Sequence, residues 1–150
     1  MLSSELSTSL TGRVIEKHIY PLNCGEYLSF LEIKPKSDLE YETNFYRYMK
    51  YGAFPQIVLT EEEYNKRIIL QNYFKDIIQK DIVERYAIRN YDILEKMALY
   101  YMTNISSPHS YNKVAKAFNS NPDTAQDYSR YLKSCFAIFE LLRFHPNLKV

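Results

Sequence analysis

The sequence predicts a mainly α protein: a helical segment followed by a winged helix-turn-helix, with one or two short strands. Three observations carry this. Glycine and proline number only three and six in 150 residues, too few for the many turns of an all-β fold. Tyr64 to Tyr86 is the longest uninterrupted helical pattern and contains neither residue. Towards the end, two short helical stretches flank the polar turn Asn119-Ser120-Asn121-Pro122, the layout of a helix-turn-helix.

The elements follow in order. Leu2, Leu6 and Leu10 fall four apart on one face of a first helix, with Gly12 as its stop. Val14 to Tyr20 reads as extended and ends at Pro21. Asn23 with Glu26 three residues on is a capping box, and Tyr27, Leu28 and Leu31 supply the stripe behind it. Lys34 to Asp38 is a polar linker broken by Pro35. A helix from Tyr41 to Tyr51 ends at Gly52, and Val58 to Glu63 is a short connection.

In the long stretch Leu70, Tyr73, Phe74, Ile77, Ile78 and Ile82 form one apolar stripe. Asp76–Lys80 and Asp81–Arg85 stand four apart with the acid first. Such pairs add only about 0.2–0.5 kcal/mol each, so burial of the stripe dominates. Asp92 with Glu95 forms the next capping box, opening a helix with Leu94, Met97, Ala98, Tyr101 and Ile105 inward until Ser106-Ser107-Pro108 breaks it. Ser110 caps a short helix with the stripe Val114, Ala115 and Phe118. Asn121 caps the next one, Pro122 takes its first position, and Ala125, Tyr128, Leu132 and Cys135 point inward. Ala137 to Phe144 is apolar and reads as a strand or as a helix continuation.

Composition excludes several classes. Apolar residues make up 46% and charged residues 25%, so the chain has material for a core and is no disordered tail. Its length suits one ordinary domain or two small ones. Fifteen tyrosines and no tryptophan favour half-wet contacts, with ring buried and hydroxyl exposed. Cys24 and Cys135 have no paired spacing, and His18, His109 and His145 match no metal pattern. No apolar run reaches the roughly 20 residues of a membrane span, and the first residues do not resemble a signal peptide. A cytoplasmic location is therefore expected. No glycine-rich phosphate loop is present. Asp76, Asp81 and Glu84 are explained by helical periodicity as a solvated face, so no catalytic residue is assigned.

The net charge of +1 hides an asymmetry: from Ser106 onward six basic side chains face three acidic ones. In a helix-turn-helix, Pro122 to Cys135 is the recognition helix, exposing Asp123, Thr124, Gln126, Asp127, Arg130 and Lys133. Thr124, Gln126 and Arg130 suit base edges or phosphates, and Lys133 lies on the same face. Lys113, Lys116 and Arg143 suit phosphates from the flanks. Against this, Asp123 and Asp127 occupy the half of the helix that usually enters the groove. DNA reading and use for packing or protein contacts both stay open, as do a free-standing DNA-binding regulator and a structural module that dimerises through tyrosine-rich faces.

Five phrases together carry a resemblance: LSSELSTSLTGR at 2–13, IEKHIYPLN at 15–23, YGAFP at 51–55, YFKDIIQKDIVERYAIR at 73–89, and SYNKVAKAF from Ser110. In that order they resemble the prokaryotic AAA-type ATP-binding proteins that carry a C-terminal domain of unknown function. The resemblance covers nearly all of the chain. It implies that residues 1–33 are the edge of an ATPase core, 34–90 a helical connector and 91–150 a winged helix-turn-helix. It implies ATP and Mg²⁺ in the longer protein, but the Walker segments are absent from this chain, which alone is expected to hydrolyse nothing. Partners implied are the ATPase core, a second copy or DNA. Arg13, in the Leu-Thr-Gly-Arg element, is then a nucleotide sensor acting in trans; its other reading is a cation compensating the end of the first helix. Asp81, Glu84 and Arg85 become interdomain contacts.

Overall fold

The computed structural model describes residues 17–141. The expected first helix, Arg13 and Arg143 lie outside them. Among the described residues there are seven α-helices, one π-helical segment and no strand. The chain divides between Phe74 and Lys75 into two units.

In the first unit α1 is Cys24–Phe30. Its capping box is complete: Asn23 Oδ1 accepts the Glu26 N–H at 2.9 Å, and the Asn23 N–H donates to Glu26 Oε2 at 2.8 Å. α2 is Asp38–Tyr51, capped by Ser37. It stops because Gly52 takes φ 70°, ψ −165°, while its N–H still donates to Tyr48 O at 2.8 Å. The stretch expected to connect contains a helix, α3, Pro55–Leu59, with Pro55 at the first turn, where a missing N–H costs nothing. Tyr27, Ala53 and Val58 form a small core, with Leu22, Leu28, Leu31 and Tyr48 packed around it. α4 is Glu63–Asp76; Tyr73 meets Phe54 edge-on at 5.1 Å and its hydroxyl donates to Gln56.

The single long helix expected from Tyr64 to Tyr86 is corrected. It turns α-helical to π-helical at Ile77, and the π-helical segment runs Ile77–Glu84. The run Ile77, Ile78, Ile82 and Val83 is β-branched, which crowds the α-helical turn. One extra residue per turn shifts the face, and Ile78 and Ile82 end fully buried. The expected Asp76–Lys80 pair forms at 3.1 Å.

The rest of the second unit is α5, Tyr91–Thr103, α6, Tyr111–Ala117, and α7, Pro122–Ser134. α7 packs on both α5 and α6. Leu94, Met97, Ala98, Val114, Ala125 and Leu132 are essentially solvent-free, each larger one contributing about 1.5–3 kcal/mol relative to exposure. The cap of α5 is Asn90, whose Oδ1 accepts the Ile93 N–H, rather than Asp92. Ile105 lies past the end of α5 and is exposed, not inward.

The expected strands do not form among the described residues: neither 17–20 nor 137–141 is a strand. After α7, Phe136 adopts φ 59° and the Ala137 N–H donates back to Leu132 O at 2.9 Å. This closure ends α7 and folds the following segment back beside it, and residues 138–141 form no strand.

Candidate functional site

The helix-turn-helix pair gathers most of the residues that sequence singles out. Its frame is set locally. Ser110 Oγ accepts the Lys113 N–H, and Asn121 Oδ1 accepts the Thr124 N–H at 2.7 Å. Asn119 takes φ 49° in the turn between them, a left-handed position that asparagine tolerates. Inside, the Tyr101 hydroxyl and Ser129 Oγ lie 2.7 Å apart, and Ser129 Oγ donates to Ala125 O. Burial pushes the Tyr101 phenol up, only partly offset by the Ser129 hydrogen bond.

The outer surface of α7 is decided by spacing. Asp123, Asp127, Arg130 and Ser134 recur at four, three and four residues, one helical stripe. Two of the four are carboxylates. Arg130 Nη2 donates to Asp127 Oδ1 at 2.8 Å, and its guanidinium also lies 5.4 Å from the Tyr131 ring centre. Gln126 is exposed beside the stripe, whereas Thr124 and Lys133 are half-buried on its flanks.

Lys133 is also engaged. Its Nζ lies 2.6 Å from Glu140 Oε2. The Tyr111 hydroxyl donates to both Glu140 oxygens at 3.1 Å, and His109 Nε2 lies 3.3 Å from Oε1. Burial alone pushes the Glu140 carboxyl up, but the bonds from Lys133, Tyr111 and His109 together hold it below its ordinary range. The Lys133 ammonium is raised by its bond to Glu140, and burial leads the rise of the Tyr111 phenol. This carboxylate fixes the segment after α7 against residues preceding α6, on α6 and on α7. Sequence reasoning missed it because its partners are 31, 29 and 7 residues away, beyond any local pattern.

A second feature missed in sequence is the stack of Tyr86 on Tyr131, centroids 3.9 Å apart and planes 16° from parallel. The Tyr86 hydroxyl lies 3.2 Å from Ser134 Oγ, and the Arg85 guanidinium sits 5.5 Å from the Tyr86 ring centre. Two rings with a cation over each tie the end of the π-helical segment to α7. Asp81 is half-buried and Glu84 exposed, accepting from Gln79 at 3.3 Å. Cys135 is buried, which raises its thiol.

Lys113 and Lys116 remain on the exposed side of α6, three residues apart, with no carboxylate within salt-bridge distance among the described residues. No cluster of three or more His, Cys, Asp or Glu suited to a metal ion occurs among the described residues. No described helix is long and apolar enough to cross a membrane.

These features define a mainly helical protein whose second unit is built around a helix-turn-helix pair. The chain belongs to the family described as a domain of unknown function (DUF8612), whose model matches residues 42–150. It is 31% identical to an uncharacterized protein of Methanocaldococcus jannaschii over 99% of this chain and 36% of the relative. It is 32% identical to an uncharacterized protein of Haemophilus influenzae over 88% of this chain and 33% of the relative. The chain thus spans about a third of the length of the curated relatives it matches. No solved structure matches it.

Proposed function

We propose that the chain is a non-catalytic coupling piece of a longer protein, and that its helix-turn-helix pair docks a protein partner rather than reading DNA. The observation that carries this is the pairing of both cations of α7 within their own unit: Arg130 with Asp127 and Lys133 with Glu140. A helix meant to meet phosphates offers its cations to them. Here Asp123 and Asp127 would face the phosphate charge instead, and repulsion of that kind selects against a DNA partner. A cytoplasmic location suits this role.

The longer protein is of the AAA ATP-binding type in this reading. Support comes from the five phrases in family order, and from relatives about three times the chain's span. ATP and Mg²⁺ belong to the remainder of such a protein. Arg13 then senses nucleotide, and Asp81, Glu84 and Arg85 mediate contacts between domains. Purified 1–150 is expected to turn over no ATP; measurable turnover that follows the protein through purification contradicts the non-catalytic role.

A second reading is favoured by Lys113 and Lys116. Two exposed, uncompensated cations on α6 suit phosphates, with Thr124, Gln126 and Arg143 as further contacts. Retention of labelled duplex DNA that persists at moderate salt, and falls in Lys113→Ala and Lys116→Ala, would favour this reading over protein docking.

A further inference from the structure

We infer that the donors around Glu140 form a carboxylate-binding site, that Glu140 is its built-in occupant, and that the partner of the helix-turn-helix pair presents an acidic side chain on an extended segment that takes the place of Glu140. This rests on the protein-docking reading above and names the partner's chemistry. Three places in the chain supply the site: His109 before α6, Tyr111 at its first residue and Lys133 in the last turn of α7. Lys133 Nζ lies 2.6 Å from Glu140 Oε2, the Tyr111 hydroxyl 3.1 Å from both oxygens and His109 Nε2 3.3 Å from Oε1. The helices place these donors without help from Glu140: Ser110 caps α6, α7 packs on it, and the His109 ring meets Tyr101 edge-on at 5.1 Å. When Glu140 leaves, a half-buried ammonium and a phenol stand in need of an anion.

The segment that carries Glu140 is lightly tied. The Phe136 and Ala137 N–H groups donate back to α7, to Lys133 O and Leu132 O. Beyond them, no main-chain hydrogen bond joins 138–141 to another described residue. The side chains alternate as on a strand: Ile138 and Glu140 are half-buried, while Phe139 and Leu141 are 72% and 97% exposed. The carboxylate and one apolar side chain two residues before it are therefore what the segment offers to the helices. Any extended segment with an acid two residues after an apolar side chain offers the same pair.

The seated group itself selects the occupant. A carboxylate has two oxygens, and both are bonded here, in charge-assisted and neutral bonds together. The Glu140 side chain is only 15% exposed, so charge brought to this position needs a partner within the site. One ammonium balances one negative charge. A phosphate group brings roughly −1.5 to −2 charges and three acceptor oxygens, more than these donors satisfy.

Vacating the site and refilling it is the test. In 1–150 carrying Glu140→Ala, sodium acetate should raise the unfolding temperature above the value in equal sodium chloride, and by more than it does in wild type. Adding Lys133→Ala to that variant should abolish the gain. No gain, or a gain that survives Lys133→Ala, overturns the proposal; a larger gain with inorganic phosphate than with acetate assigns the site to phosphate and overturns it too. Wild-type 1–150 supplies a second measurement that does not require the variant to fold. The capped peptide acetyl-Ala-Ile-Phe-Glu-Leu-amide should compete with Glu140 and speed hydrogen exchange at the Ala137 amide, and its glutamine counterpart should not. Equal exchange with both peptides overturns the proposal while leaving protein docking intact. Duplex DNA held by wild-type 1–150 through Lys133 would instead overturn the docking reading, and this inference with it.

Discussion

Lys133 Nζ and Glu140 Oε2 stand 2.6 Å apart, joining α7 to the segment that follows it. The Glu140 side chain is only 15% exposed, and the Tyr111 hydroxyl holds its other oxygen. The pair therefore removes a cation from the surface of α7 and fixes the direction in which the chain leaves the helix.

The carboxyl of Glu140 lies below its ordinary value in the fold. Its contribution is then complete above the ordinary carboxylate range and is lost as pH falls through the lowered value. Glu140→Gln should cost about 1 kcal/mol near neutral pH, the half-exposed lysine limiting the effect. It should also flatten the acid side of the stability curve. Thermal unfolding of both proteins across the acid range checks this; parallel curves would remove Glu140 as the cause.

The Asn121 side chain accepts the Thr124 N–H at 2.7 Å and starts α7. Asn121→Ala should destabilise the protein by about 1 kcal/mol, while Asn121→Ser or Asn121→Asp should recover most of that loss. Urea unfolding at fixed pH measures it. Equal loss in all three variants would show that the cap bond is not what matters.

Gly52 ends α2 at φ 70°, ψ −165°, a region open in practice to glycine alone. An added Cβ meets nothing within 4 Å, so the penalty is one of backbone conformation without a clash. Gly52→Ala should cost about 1–3 kcal/mol, and Gly52→Val no less. A far larger loss in valine than in alanine would point to crowding instead.

Local chemistry was legible in the sequence and long-range chemistry was not. The Asn23–Glu26 box, the Ser110 cap and the Asn121-Pro122 start of α7 each lie within four residues, and all form. The inward stripe Ala125, Tyr128, Leu132 and Cys135 is buried as its period required. The cap of α5 shifted from Asp92 to Asn90 because both side chains can accept the bond and only the fold chooses between them. The π-helical segment was hidden because Ile77, Ile78 and Ile82 fit an α-helical stripe equally well. The expectation of a strand after α7 rested on apolar residues alone. A strand needs a neighbour, and among the described residues none is offered to 137–141. For the site, Lys133 and Arg130 both lie on α7, where they pair with Glu140 and Asp127. The Asp127 pair was within reach of spacing, three residues from Arg130; Glu140 was not, since a turn brings it back.

Arg130 pairs with Asp127 and Lys133 with Glu140, and on the function proposed above neither cation of α7 is offered to phosphate. The most direct test is the salt dependence of duplex DNA binding by 1–150, compared with the double variant Arg130→Ala, Lys133→Ala. Each phosphate contact contributes about one to the slope of log affinity against log salt. With both cations paired in their own unit, either no measurable binding or a slope that the double variant leaves unchanged is expected. A slope that falls by about two in the double variant would contradict it.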